Sequence, residues 1–216
     1  MERIVLCIQL AVLAAFQLIP ITGKRKISSF TMGLFQENQF CFRHRDEVDD
    51  KSMRNFAKAL STPQVLPYML VKYKGSYLTY SRSRGTETRL HGTRSLGFGG
   101  HVDVTDAVPG NGIQDVILDA AKRELKEELG LDLEQFSKRV NFNHCIVDYT
   151  NTVGMVHFGI VAVIDLNDQD MEDMKQCAEE LADVQWRTVE QLKADADLYE
   201  NWSKALITGE DGYNFQ

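Results

Sequence analysis

The 216-residue sequence contains no Cys-x-x-Cys pair, and its four cysteines (Cys7, Cys41, Cys145 and Cys177) lie far apart along the chain. Closely spaced cysteine pairs are the usual sign of a zinc site, and nothing in this spacing indicates zinc or requires disulfides. Isolated thiols with mostly apolar neighbours favour a reducing compartment.

An excess of positive charge is also missing, because 31 acidic residues outnumber 24 lysines and arginines and give a net charge of −7. Nonspecific binding to a nucleic-acid backbone requires a basic surface, so we do not expect it here. The 25% charged and 44% hydrophobic residues are typical of a globular protein. The length fits one large domain or one domain with an extension.

No hydrophobic run is long and unbroken enough to be a good membrane span. Residues 4–20 are mostly apolar and precede a basic segment at 24–26, as in a signal peptide or an anchor. However, Gln9 and Gln17 interrupt the run, and no clear cleavage site follows it. We therefore expect a cytoplasmic protein without membrane contact, with export or anchoring through residues 4–20 as the alternative.

The most informative segment is residues 123–131, which read Arg-Glu-Leu-Lys-Glu-Glu-Leu-Gly-Leu. Successive residues of an α-helix are about 100° apart, so Glu124, Glu127 and Glu128 project within an arc of roughly 80°. Carboxylates four residues apart on a helix repel each other by a few tenths of a kcal/mol. Three of them on one stripe predict a shared cation, whereas the alternative is a solvated Glu/Lys helix.

The surrounding residues fit a helix that packs on a sheet. Lys122 and Lys126 fall on the far side of the helix, where they cannot neutralise the carboxylates. Gly130 suits the left-handed position that ends a helix. An apolar stripe borders the glutamates and consists of Val116, Ile117, Leu118, Ala121, Leu125 and Leu129.

This segment resembles the C-terminal half of the Nudix box, Gly-x5-Glu-x7-Arg-Glu-U-x-Glu-Glu-x-Gly-U, in which U is an aliphatic residue. Every specified position from the arginine onward is present. Chance occurrence of its five fixed letters is on the order of 10⁻⁴ for a chain of this length. The resemblance covers about residues 64–208 and implies an α/β fold, a Nudix-type α/β/α sandwich with a mixed central sheet. Without it, the sequence predicts only mixed α and β structure.

The N-terminal half of the box departs from the pattern. Asp115 occupies the position of the isolated glutamate, and Pro109 occupies that of the first glycine. Gly100 is the better glycine candidate, since residues 96–102 look like the Gly-Gly strand end that precedes the Nudix loop in family members. In that alignment 14 residues separate Gly100 from Asp115, where the pattern has 5. The Pro-Gly-Asn-Gly stretch within residues 103–112 favours a longer surface loop.

The resemblance implies hydrolysis of a phosphoanhydride or phosphoester bond in a nucleoside diphosphate linked to another group. Carried over residue by residue, it implies that Glu124, Glu127, Glu128 and the carbonyl of Gly100 bind the metal. Glu124, Glu127 and Arg123 are the implied catalytic residues, with Glu124 a ligand or the base and Arg123 orienting the glutamates by a bidentate ion pair. Mg²⁺ or Mn²⁺ is the expected cofactor, because clustered oxygen ligands suit these ions.

Candidate residues also lie outside the box. Arg84 and Arg89 could contact phosphate, although surface arginines in a turn are an equal alternative. His101 follows Gly100 directly and is a candidate to contact metal or substrate. Additional acidic ligands could come from Glu179, Glu180 or Asp183.

Three functions stay open at this point. The first is a metal-dependent hydrolase with a small-molecule nucleotide substrate, capped RNA being the one nucleic acid kept as a candidate. The second is a non-catalytic Nudix-like nucleotide-binding or sensor module, which the altered first half of the box motivates. The third is an isoprenoid-diphosphate isomerase, which shares the fold but needs a cysteine where Gly99 stands. The sequence names neither the substrate nor the oligomeric state.

The remaining chain is placed coarsely, with residues 1–63 as an N-terminal extension, packed on or continuous with the domain, and 64–216 as the Nudix domain. A Lys-Gly pair at 74–75 predicts a hairpin, and Thr188 is expected to cap the closing helix. The predicted strands are 4–8, 65–73, 76–82, 140–149, 153–166 and 184–187; the other predicted helices are 10–16, 52–60, 168–178 and 189–207.

Overall fold

The structure is a computed structural model, and it describes residues 3–19, 25–29, 31–49, 53–82, 92–133, 136–174 and 181–215. Its strands are β1 (Ile4–Ile8), β2 (Arg25–Ser29), β3 (Phe40–His44), β4 (Gln64–Tyr73), β5 (Ser76–Arg82), β6 (Arg94–Ser95), β7 (Gly97–Phe98), β8 (Asn141–Asp148), β9 (His157–Asp165) and β10 (Leu181–Thr188). Its α-helices are α1 (Leu10–Ala15), α2 (Met53–Ser61), α3 (Ile113–Leu129), α4 (Phe136–Arg139), α5 (Thr152–Met155), α6 (Asp168–Asp173), α7 (Val189–Ala194) and α8 (Asn201–Thr208).

The strands are hydrogen-bonded in the order β10-β5-β4-β9-β8-β2, with β1, β3, β6 and β7 attached beside this path. This sheet, combined with helices in the intervening sequence, confirms the predicted α/β fold class. The described chain divides into two compact units. The first comprises residues 1–67, 100–121 and 142–161, and the second comprises 68–99, 122–141 and 162–216. The predicted boundary at residue 63 stays a prediction.

In the first unit, β1 is a buried strand, as its apolar sequence predicts. It pairs with β3 in antiparallel register over its whole length. On its other side, the Leu6 N–H donates to the Val102 carbonyl at 2.8 Å and the Ile8 N–H donates to the Pro63 carbonyl at 2.9 Å. The predicted strand and helix within residues 4–16 are therefore confirmed as β1 and α1. Among the described residues, no helix combines the length and the apolar character that a membrane span requires.

In the second unit, β4 and β5 form the predicted hairpin. Lys74 and Gly75 both have positive φ angles, 47° and 80°, which is the conformation of a two-residue type I′ turn. Tyr73 pairs with Ser76 directly across that turn. The strand β10 then pairs with β5, with a register shift between Ala182 and Gln185.

Two predicted elements, the strand from residue 153 and the closing helix, differ from the structure, and a third is shorter in the described residues than predicted. The strand expected from residue 153 begins only at His157, because the Asn151 side chain accepts the Gly154 N–H at 2.8 Å and caps the short helix α5. The prediction of a single closing helix is wrong, because this part of the chain forms two helices, α7 and α8. Thr188 caps α7 as predicted, but Glu200 caps a separate α8 with its carboxylate. For the predicted helix 168–178, α6 covers Asp168–Asp173, and residues 175–180 lie outside the described ones.

Candidate functional site

The C-terminal part of α3, residues 122–129, lies in the second unit and carries the three glutamates. Leu125 and Leu129 are buried, so the predicted apolar stripe does face the interior there. Gly130 has a φ of 67°. Its N–H donates to the Lys126 carbonyl, and the Leu131 N–H donates to the Leu125 carbonyl. The left-handed Gly130 with its N–H bonded to the Lys126 carbonyl is the αL motif that ends a helix, and it fixes the end of α3 directly after the glutamates.

Arg123 connects two of the three glutamates. Its Nη1 donates to Glu124 Oε1 at 2.8 Å and to Glu127 Oε2 at 3.3 Å. The Glu124 side chain is only 15% exposed, whereas that of Glu127 is 61% exposed. One guanidinium nitrogen thus holds two carboxylates that would otherwise repel each other.

Glu128 is held by the backbone of the glycine-rich segment. The Gly99 N–H donates to Glu128 Oε2 at 3.0 Å, a hydrogen bond between an amide and a charged acceptor. Gly99 has a φ of 138°, which strongly favours glycine. Sequence reasoning used Gly99 only to argue against an isomerase and did not identify this contact. Gly100 follows it in the chain, and the role of the Gly100 carbonyl stays a prediction.

The lysines of α3 are engaged elsewhere. Lys126 Nζ lies 2.5 Å from one carboxylate oxygen of Asp132, and Lys122 Nζ lies 3.4 Å from the other. Hydrogen bonds from Lys126, and then from Lys122, lower the pKa of Asp132. The positive charge of both lysines is therefore paired with Asp132, in agreement with their predicted place on the far side of the helix.

The glutamates do not form a closed metal cage by themselves. In the parts of the chain that the structure describes, no group of three or more His, Cys, Asp or Glu side chains is arranged to hold a metal ion. The donors near one another on α3 are nevertheless all carboxylate oxygens. Mg²⁺ takes oxygen ligands and typically one or two protein carboxylates, with waters and substrate phosphates completing its shell. The donor chemistry therefore fits a hard divalent cation whose site is completed by substrate.

The other predicted site residues are distributed differently. Arg84, Arg89, Glu179 and Glu180 lie outside the described residues. His101 is half-buried in the first unit, where its ring centroid lies 5.8 Å from that of His157 in an edge-on arrangement. Asp115 is exposed in the first turn of α3.

Asp183, a candidate acidic ligand, is paired with a buried arginine in the second unit. Its carboxylate accepts a hydrogen bond from Arg94, which lowers the pKa of Asp183. Arg94 Nη2 also donates to Thr79 Oγ1 at 2.9 Å and to the Asp183 carbonyl at 3.0 Å. Asp183 has a φ of 48° and lies in the irregular part of the β5–β10 pairing. Through these contacts Arg94 connects strands β5, β6 and β10.

A hydrogen-bond network supports the segment that leads to Gly99. Tyr68 Oη donates to Glu200 Oε1 at 2.6 Å, and the Leu96 N–H donates to Ser203 Oγ at 2.8 Å. A Cβ on Gly97 would lie 2.0 Å from the ring of Tyr68, so only glycine fits there. Sequence reasoning missed these residues because Tyr68 and Glu200 are 132 positions apart, and no local pattern connects them.

Comparisons with known proteins identify the family and the fold. The NUDIX domain family model matches residues 85–207. Protein YmaB of Bacillus subtilis (strain 168) is 34% identical over 148 residues, which cover 67% of this chain and 69% of that protein. The crystal structure of Tm1382, which is assigned to the Nudix hydrolases, aligns over 96% of both chains with a TM-score of 0.70 at 23% identity, a likeness that shows the fold. Because the family model covers more than half of the sequence and includes the whole of α3, the chain belongs to the Nudix hydrolase family.

Proposed function

We propose that this chain is a divalent-metal-dependent hydrolase that cleaves a phosphoanhydride or phosphoester bond in a nucleoside-diphosphate-linked substrate. The observation that carries the proposal is the fixing of Glu124, Glu127 and Glu128 by Arg123 and by the Gly99 N–H. All three side chains offer carboxylate oxygens, which are the ligands that a hard divalent cation takes. A divalent cation bound there would also reduce the repulsion between the carboxylates.

The resemblance to the Nudix box implies a role for each residue, and the observed contacts position the glutamate side chains. Glu124, Glu127, Glu128 and the Gly100 carbonyl would hold Mg²⁺ or Mn²⁺, and the bound ion would neutralise phosphate charge and lower the pKa of the attacking water. Glu128 is positioned by the Gly99 N–H. Glu124 is the more buried of the two carboxylates bonded to Arg123, and we assign it the alternative role of accepting the proton of the water.

The substrate is proposed to be a small nucleotide-type molecule, with capped RNA as the one nucleic-acid candidate. Arg84, Arg89 and His101 stay proposed substrate contacts. We also propose a cytoplasmic location, which the sequence favours over export.

A second candidate function is a nucleotide-binding module without turnover. It is favoured by the lack, among the described residues, of a ready group of three metal-binding side chains. Exposure of Asp115, where the box pattern has a glutamate, points the same way. This alternative predicts that ligands bind but are returned unchanged.

The deciding experiment is a hydrolysis screen on the purified chain. The panel contains nucleoside triphosphates, NADH, ADP-ribose, nucleotide sugars, dinucleoside polyphosphates and capped RNA, each with Mg²⁺, Mn²⁺ or a chelator. The Glu128→Gln variant keeps an oxygen that can accept the Gly99 N–H but removes the charge. We expect cation-dependent turnover that falls by about two orders of magnitude or more in this variant.

The matched control is Glu172→Gln, the same chemical change at an exposed position of α6. It should keep the parental rate. Full activity of Glu128→Gln would refute the proposed metal role, and binding without turnover across the panel would favour the module. A product of unchanged mass would instead indicate isomerisation.

A further inference from the structure

Two cysteines lie directly opposite each other in the first unit. Cys7 of β1 and Cys41 of β3 are partners in the antiparallel register, and both are free thiols. Residues opposite each other in an antiparallel pair point to the same face of the sheet. In agreement, Cys41 packs against the buried apolar cluster that contains Cys7.

The flanking hydrogen bonds show which kind of pair this is. The Gln9 N–H donates to the Gln39 carbonyl, and the Arg45 N–H donates to the Arg3 carbonyl, so odd-numbered residues of β1 direct their backbone groups toward β3. Cys7 and Cys41 therefore form a hydrogen-bonded pair, whose Cα atoms are typically about 5.5 Å apart. That separation lies within the range of about 4.4–6.8 Å found in disulfides.

The Cβ atoms need a small additional approach. Opposite Cβ atoms are about 4.5–5.5 Å apart, with hydrogen-bonded pairs toward the longer distance, whereas a disulfide needs about 3.5–4.5 Å. The strand β1 is held on its other side by the hydrogen bonds to Val102 and Pro63. In the described chain β3 pairs with one strand, β1, so β3 is the strand that can move to bring the two Cβ atoms closer. The resulting bond would be strained, and strained disulfides are reduced easily.

We propose that Cys7 and Cys41 are a modification site at which a small-molecule disulfide, such as oxidised glutathione, forms a reversible intramolecular disulfide. The thiolate of Cys41, the more exposed of the two, attacks one sulfur of the reagent and releases one thiol, which leaves a mixed disulfide. Cys7 then loses its proton to solvent and attacks the Cys41 sulfur, which releases the second thiol. Two protein thiols are oxidised, and one reagent disulfide is reduced to two thiols.

Burial supports this order of events. It raises the pKa of the Cys7 thiol to about 12, with the neighbouring Cys41 contributing in the same direction. Since the thiolate is the nucleophile, Cys7 is a poor first attacker, and its closure of the bond is the slow step. Cys145 of β8 is a useful comparison, because burial also raises the pKa of its thiol to about 12 and no partner cysteine faces it in the β2–β8 register.

The test treats the natural chain with oxidised glutathione, alkylates the remaining thiols after denaturation, and maps the peptides by mass. We expect two thiols to be lost without retained glutathione, a peptide that joins Cys7 to Cys41, and full recovery with dithiothreitol. The Cys7→Ser variant should stop at a glutathione adduct on Cys41, and Cys145→Ser should behave like the parent. Full alkylation of both cysteines, a lasting adduct on Cys41 of the parent, or cross-links between chains would each overturn the proposal.

Discussion

The two halves of α3 differ in how their acidic residues are held. In the C-terminal half, which meets the box pattern at every position, Glu124 and Glu127 are bonded to Arg123, and Glu128 is bonded to the Gly99 backbone. In the N-terminal half, where the pattern fails, Asp115 is exposed beside the loop. Neighbouring groups thus fix the glutamates of the half that matches the box, whereas the acidic residue of the other half is exposed.

The loop side of the helix shows a contact of one of its N-terminal acids. Asp119 accepts a long hydrogen bond of 3.4 Å from the Asn111 side chain. Both residues are exposed, so this bond is a surface contact between the loop and the helix.

Removing Arg123 should have the largest effect after loss of Glu128 itself. In Arg123→Ala, Glu124 and Glu127 lose their shared donor, and misplacement of catalytic groups can lower kcat by about a hundredfold. Mn²⁺ affinity should stay equal or rise, because a positive charge next to the carboxylates is removed. Arg123→Lys keeps the charge but not the planar donor geometry, so it should fall between parent and alanine variant.

Steady-state kinetics and Mn²⁺ titration would measure both effects. Lys126→Ala is the matched control on the same helix, since Lys126 pairs with Asp132. It should change kcat by less than about twofold. An equal loss in both variants would show that any basic residue of α3 has the same effect, and the special role of Arg123 would be abandoned.

The glycine-rich segment that holds Glu128 can be tested through Gly97. In Gly97→Ala the new methyl group would collide with the Tyr68 ring, which cannot move freely because its hydroxyl bonds Glu200. Overpacking of this kind costs about 1–3 kcal/mol of unfolding free energy. Urea denaturation would measure it, and kcat should fall as well, because Gly99 lies two residues further on.

Gly33→Ala provides the control for that prediction. A Cβ on Gly33 has no neighbour within 4 Å, and Gly33 is not among the glycines with positive φ. We expect a change within about 0.5 kcal/mol. If Gly97→Ala is equally harmless, the Tyr68 contact does not restrict the segment.

The sequence predicted local features well because they are encoded locally. The hairpin at Lys74 and Gly75, the end of α3 at Gly130 and the Thr188 cap all depend on residues within a few positions. The stripe of three glutamates was likewise readable from the helical period. The prediction failed at the closing helix, because the Glu200 N–H bonds the distant Arg94 carbonyl and the Glu200 carboxylate caps a new helix.

The contacts that hold the candidate site could not be predicted from the sequence, because they also join residues far apart along the chain. The Gly99–Glu128 hydrogen bond joins residues 29 positions apart, and the Arg94–Asp183 pair joins residues 89 positions apart. Neither pair has a sequence signature. The sequence therefore offers Asp183 as a candidate acidic ligand but does not show its pairing with the buried Arg94.

Asp115→Asn should have the smallest effect and tests the comparison most directly. A carboxylate in the first turn of a helix is stabilised by the partial positive charge there, so its loss should cost about 0.5 kcal/mol of unfolding free energy. Because Asp115 is exposed, we expect kcat to change by less than about threefold, in contrast to Glu128→Gln. Chemical denaturation and kinetics on the same preparation would separate the two effects. A hundredfold loss of kcat at unchanged stability would instead mean that Asp115 performs the task of the box glutamate, and the two halves of α3 would then be functionally alike.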